Sequence, residues 1–146
     1  MHLEGTILVG PDFEPVEGRV VVADGEIVRI EERDAEGDDV ILPAFVNAHT
    51  HIGDSIAKEA GEGLSLDELV APPDGLKHRL LRAAGHEEKV AAMARTLRYM
   101  ESTGTGTFLE FREGGVDGVA AHRDALAGEG VAYDERADEA VVFGRD

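Results

Sequence analysis

The sequence contains no cysteine, which excludes disulfide cross-links and thiolate metal sites. Any metal held by this chain must be bound by histidine, carboxylate or other nitrogen and oxygen donors. Lysine is scarce, occurring only at Lys58, Lys77 and Lys89. No apolar run approaches the length of a membrane span, and Met1-His2-Leu3-Glu4 lacks the basic and apolar stretches of a signal peptide. A chain without these features is expected to be cytoplasmic, with no membrane partner.

Positive charge is in equally short supply. Against 31 Asp and Glu stand 14 Lys and Arg, a formal net charge of −17. Such a surface repels phosphate backbones and anionic lipid, so nucleic acid is also a poor partner. The balance fits an acidic protein of ordinary habitat or one of a high-salt cytoplasm, where salt screens the self-repulsion, and few lysines beside many carboxylates favour the second. That concerns habitat rather than chemistry. Hydrophobic residues make up 42% of the 146 positions, enough for an ordinary domain core.

The first forty residues read as β-structure. Thr6 to Val9 is closed by Gly10-Pro11-Asp12, and Arg19 to Ala23 and Glu26 to Ile30 flank Asp24-Gly25, a strong hairpin signal. Ile27 and Ile30 do not alternate cleanly, which leaves the register of the second arm open. Val40 to Val46 is almost continuously apolar apart from Pro43, the pattern of a strand buried on both faces. Ser65-Leu66-Asp67-Glu68 fits a capping box, with Pro72-Pro73 ending the turn that follows. Glu87 to Met100 has an apolar face of Val90, Met93, Ala94 and Leu97 and is expected to be helical. Phe108 to Phe111 reads as a strand, Val116 to Ala127 as a helix ended by glycines, and Ala140 to Phe143 as a third strand. The alternation of strand and helix after residue 40 predicts a parallel sheet.

His49 and His51 stand two apart at the end of the strand predicted over Val40 to Val46. That spacing can turn both imidazoles to one side, toward one divalent cation. A chance His-x-His pair would occur in roughly one chain in four of this composition, so the pair alone is a weak signal. Its setting adds weight. In parallel α/β folds the C-terminal strand ends are where sites are built.

The run Ile41-Leu42-Pro43-Ala44-Phe45-Val46-Asn47-Ala48-His49-Thr50-His51 resembles the signature that opens the barrel in the amidohydrolase superfamily. Val20 to Val28 is similar to the hairpin that precedes it there. The resemblance is closest over residues 5 to 54, with Ala44 where the family commonly has glycine. It implies an α/β fold, the N-terminal part of a (β/α)8 TIM-type barrel of about three βα units, preceded by a small β-sandwich segment. Residues 1–40 would form the sandwich segment and 41–146 the incomplete barrel, since a full barrel takes about 250 residues. It further implies a metal-dependent hydrolase acting on non-peptide C–N bonds of a small molecule such as a cyclic amide, amidine or aminated ring. The metal would be zinc, with iron or manganese as alternatives, and His49 and His51 would be its first ligands. The remaining ligands, a Lys or Glu, two His and an Asp in the family, would come from later strands. His78, His86 and His122 do not match those positions. The catalytic residues are therefore not assignable, and the chain alone is expected to be an inactive fragment. A second reading is a non-catalytic half-barrel that pairs with a partner or forms a homo-oligomer, because a partial barrel leaves strand edges uncovered.

Other residues offer weaker signals. Asp54 could bond a ligand histidine or substrate, against the plainer reading of a loop carboxylate in an acidic protein. Asn47 reads as a strand-end support. Arg112 could clamp a substrate carboxylate or carbonyl, whereas Glu110 and Arg112 could equally satisfy each other or bridge to the next strand. Gly114-Gly115 before a helix weakly suggests phosphate binding, but Glu113 and Asp117 argue for a simple turn.

Overall fold

The computed structural model describes residues 1–112, 114–136 and 140–144. The chain divides into two compact units, Met1–Pro43 and Ala44–Asp146.

The first unit is a four-stranded sheet built from β1 (His2–Val9), β2 (Glu14–Ala23), β3 (Glu26–Glu32) and β4 (Val40–Ile41), in the order β3-β2-β1-β4. The β2–β3 hairpin turns at Asp24-Gly25, both with positive φ (53° and 84°). That conformation defines the turn matching strand twist and explains the glycine. Val21 pairs with Arg29 but Val22 with Ile27, so Val28 is the extra residue of a β-bulge. The bulge accounts for the broken alternation of Ile27 and Ile30. Ile7 and Val20 are the buried apolar side chains here.

The apolar run Val40 to Val46 is not one strand. Its first two residues form β4 in the first unit, and β5 (Phe45–Thr50) belongs to the second. Pro43 lies between them, where it interrupts the donor ladder for want of an N–H. Nor is the run buried on both faces: Phe45 is 56% and Val46 69% exposed. The reason is that β5 is an edge strand in this sheet.

After β5 the chain makes a 3-10 turn (Ile52–Ala57) and three helices: α1 (Leu66–Val70), α2 (Leu76–Ala83) and α3 (His86–Ser102). The Ser65 capping box forms, with the Ser65 hydroxyl accepting from the Glu68 amide and Glu68 accepting from the Ser65 amide. The helix α2 has no sequence signal of comparable strength, because Gly75 at its head provides no side-chain cap. Then follow β6 (Thr105–Glu110), α4 (Gly115–Glu129), β7 (Ala132–Arg136) and β8 (Ala140–Gly144).

The second sheet has the order β5-β6-β8-β7. β5 and β6 are parallel, as the alternation predicts, but β8 runs antiparallel to both β6 and β7. The expected all-parallel sheet is thus corrected at its third strand. The segment after α4 forms a hairpin whose second arm, and not its first, lies beside β6. The fold is a mixed arrangement of sheets and helices.

The core of this unit joins Phe108 of β6 to Met93 and Leu97 of α3, to Ala121, Ala125 and Leu126 of α4, and to Ile52. Helix α3 therefore packs against β6, and α4 against α3 and Phe108. Removing these seven apolar side chains from water stabilises the unit by roughly 1.5–3 kcal/mol for each of the larger ones. This packing fixes the strand ends on which the candidate site stands.

Candidate metal and ion-pair site

Two adjacent strand ends carry the polar residues that sequence reasoning singles out, and they arrange them differently. At the end of β5, both imidazoles are exposed. Their Nε2 atoms are 3.1 Å apart. That distance allows a hydrogen bond with one ring as donor. It is also close to the separation of about 3.3 Å expected for two nitrogens bound at tetrahedral angles to one zinc ion.

The i, i+2 spacing alone does not produce this convergence. The β5–β6 register shifts between Asn47 and Thr50, and His51 lies past the strand, at the head of the 3-10 turn, with φ −129° and ψ 58°. The Asn47 side chain accepts a hydrogen bond from the His49 amide at 3.3 Å, supporting the shifted backbone. The Phe111 ring lies against both imidazoles, with centroids 4.5 Å from His49 and 6.0 Å from His51. Phe111 was not singled out from sequence. The only available signal was its position at the end of a predicted strand beside the one bearing the histidines.

The two histidines suit a shared divalent cation in chemistry and spacing. Among the described residues there is no group of three or more His, Asp or Glu side chains placed to hold one. Two ligands are one short of the three protein groups of a catalytic zinc site.

At the end of β6, Glu110 is 1% exposed. Its carboxylate accepts from the Thr50 hydroxyl at 2.7 Å, the Ile52 amide at 2.8 Å, the Gly53 amide at 3.1 Å and Arg112 Nη1 at 3.3 Å. Burial pushes the Glu110 pKa up, while these donors pull it down. The carboxylate thus ties β6 to the chain on either side of His51, through Thr50 before it and Ile52 and Gly53 after it. Glu110 is a positioning residue for the His51 backbone.

The Arg112 side chain is 7% exposed, and its Nη2 lies 3.4 Å from Asp54 Oδ1. Lys77 approaches the other Asp54 oxygen at 3.2 Å. The structure therefore places Asp54 and Arg112 in a shared ion-pair cluster. Phe111 turns to the imidazoles, and Glu110 and Arg112 turn instead toward the Ile52–Asp54 segment. The guanidinium lies directly over Gly53, where a Cβ would come within 0.9 Å of Arg112 Nη1. Only glycine leaves room for it.

His122 of α4 is 3% exposed and presents its ring edge-on to Phe108, with centroids 6.5 Å apart. Burial, assisted by the Arg112 charge, lowers its pKa to about 4. It is therefore neutral near pH 7. Two other histidines of this unit have partners of their own: His78 Nε2 lies 3.1 Å from the Val70 carbonyl, and His86 pairs with Asp124 at 2.7 Å.

The profile of the Amidohydrolase family matches residues 40–134, a span that includes both histidines and the Glu110–Arg112 cluster. The chain belongs to the amidohydrolase family. A protein of Methanothermobacter thermautotrophicus named "Putative aminohydrolase" is 38% identical over 149 residues, covering 97% of this chain and 37% of that relative. One of the same name from Archaeoglobus fulgidus is 41% identical over 95 residues, covering 64% of this chain and 28% of its own length. An uncharacterized protein of Methanocaldococcus jannaschii is 34% identical over 148 residues, covering 98% of this chain and 37% of its own. The chain thus spans little more than a third of the length of the longer-matching relatives. No solved structure matches it. No helix among the described residues is long and apolar enough to cross a membrane.

Proposed function

We propose that this chain supplies the first strands and the first two metal ligands, His49 and His51, of a metal-dependent hydrolase that cleaves non-peptide C–N bonds in small molecules. The observation carrying this reading is the convergence of the two Nε2 atoms to 3.1 Å on an exposed strand end. Membership of the amidohydrolase family, and the aminohydrolase names of two relatives, support the reaction class. The parallel β5–β6 pair, with helices between and after its strands, is consistent with the opening of a (β/α)8 barrel preceded by a sandwich segment.

In this reading a bound zinc, iron or manganese ion contributes Lewis acidity and lowers the pKa of water to about 7. The protein's part is to present two imidazoles, to orient them through Asn47, Glu110 and the Phe111 ring, and to hold the turn after His51 rigid. Further ligands and the proton-moving group would lie in the portion of the fold outside this chain. Arg112 and Asp54 retain a substrate role only if their mutual pairing opens. A cytoplasmic, high-salt setting fits the composition. The exposed edge at Phe45 and Val46 favours association, either with the rest of a barrel or, in the alternative reading, with another copy.

The reading is tested by screening the purified full-length protein, loaded with each metal in turn, for ammonia release and ring opening on cyclic amides, amidines and aminated heterocycles. Activity that falls at least about a thousandfold in His49→Ala and in His51→Ala is the expected result. Activity that survives both substitutions would overturn it.

A further inference from the structure

We propose, resting on the metal reading of His49 and His51, that Lys77 of α2 is a positioning residue for His51. Through Asp54 it holds the turn that aims the second imidazole, and so couples helix α2 to the affinity of the metal site.

The chain around His51 is bonded at four consecutive residues. Glu110 accepts from the Thr50 hydroxyl and from the Ile52 and Gly53 amides, and the Asp54 amide donates to the His51 carbonyl at 2.9 Å. The Asp54 carboxylate is itself held from two sides, by Arg112 Nη2 at 3.4 Å and by Lys77 Nζ at 3.2 Å. An alternating row of charges, Lys77, Asp54, Arg112 and Glu110, thus runs from α2 to the end of β6. Asp54 is the member whose backbone meets the His51 carbonyl. The Lys77 and Asp54 side chains are 13% and 20% exposed, so salt screens their pair less than it screens a surface pair.

Lys77 also links α2 to the turn. No residue of α2 is fully buried, and the helix packs on the 3-10 turn and on α1. His78 bonds the Val70 carbonyl and Arg82 the Pro73 carbonyl, partners within the excursion that leads to α3. Lys77 instead reaches across to Asp54. Removing its ammonium takes a partner from one Asp54 oxygen and lets Asp54 shift, and the His51 carbonyl with it. The Nε2 atoms stand 3.1 Å apart, near the separation of two nitrogens on one ion. A small rotation of the His51 peptide therefore moves one ligand off the ion.

The direction of the effect separates positioning from its rivals. A merely structural pair lowers stability and leaves the affinity of the folded protein alone. Charge by itself acts the other way, because losing a cation near the site favours a bound divalent ion.

The test is cobalt(II) titration of the metal-free, purified full-length protein and its variants, with urea unfolding measured alongside. Lys77→Met should bind cobalt at least about threefold more weakly than the parent. Lys77→Arg, which can still pair with Asp54, should recover most of that loss. Lys77→Gln reads the same position should the first variant not fold. Lys58→Met, which removes the ammonium over the Tyr99 ring, should not weaken binding. In an Asp54→Asn background, Lys77→Met should have no further effect on affinity. Unchanged or tighter binding in Lys77→Met would overturn the proposal and leave the metal reading standing. So would equal weakening in Lys58→Met, or in the Asp54→Asn background. A folded parent that binds no cobalt would overturn both.

Discussion

His49 and His51 on one side, and Glu110 and Arg112 on the other, share the same spacing and stand at the ends of two neighbouring parallel strands. In sequence they look alike: two polar groups, two residues apart, beside apolar runs. In the structure the imidazoles are exposed and meet each other, whereas Glu110 is sealed and bonded to four donors. A carboxylate this buried is tolerated only when its oxygens are satisfied. Here those bonds are directed to the residues flanking His51. One pair holds the backbone while the other is left available. The division of labour, rather than the presence of polar residues at a strand end, marks a site.

The contrast can be broken most forcefully at Glu110. Replacing it with alanine leaves Arg112 buried beside a lost partner and frees two backbone amides. Glu110→Ala should cost about 3–5 kcal/mol in urea unfolding. Glu110→Gln should recover part of that, since its amide oxygen can still accept from the Ile52 or Gly53 N–H. A loss below 1 kcal/mol in Glu110→Ala would mean the cluster is not what fixes the turn.

Next in size is the pH dependence due to His122. Its folded pKa of about 4 lies below the ordinary value of 6.5. Between these values the unfolded chain binds a proton that the folded chain refuses. Stability should therefore fall as pH drops from about 6.5 to about 4 and then level off, by on the order of 3 kcal/mol in total. Glu110 contributes with the opposite sign. Its raised pKa gives a contribution present at low pH and lost as pH rises through its folded value. Unfolding curves against pH should show the His122 component disappearing in His122→Leu. An unchanged slope in that variant would refute the assignment.

A smaller effect is expected at Gly53, where an added methyl group must displace the Arg112 guanidinium. Gly53→Ala should destabilise by about 1–3 kcal/mol. It should do so by loosening the ion-pair cluster, so that in Arg112→Ala the same substitution costs much less. Additive losses in the double variant would show that the two positions are independent.

The smallest effect on stability belongs to the histidines themselves. His49→Ala should change metal-free stability by less than about 0.5 kcal/mol, because an exposed side chain with one polar contact contributes little. A large loss would indicate a structural role and remove the contrast with Glu110.

Much of this arrangement was legible in the sequence where the signals were local. Asp24-Gly25 announces its turn through φ, Ser65 and Glu68 announce a cap, and the apolar stripe of α3 announces its buried face. His49 and His51 could be singled out from spacing and position. What was not legible depended on partners distant in sequence. The Glu110 bonds reach back to Thr50, Ile52 and Gly53, nearly sixty residues earlier. The antiparallel placement of β8 depends on which arm of a hairpin reaches β6, which alternation cannot specify. The exposure of Phe45 and Val46 follows from their edge position and not from their apolar character. The helix α2 lacks an N-terminal cap and was missed for that reason.

The most direct test of the central claim is cobalt(II) titration of the metal-free protein, followed by its visible ligand-field spectrum and by competition with zinc. The account predicts saturable binding of cobalt with imidazole nitrogen ligation, displaced by zinc, and lost in both His49→Ala and His51→Ala while the fold is retained. Cobalt binding that persists unchanged in both variants, or a properly folded parent that binds neither cobalt nor zinc, would contradict it.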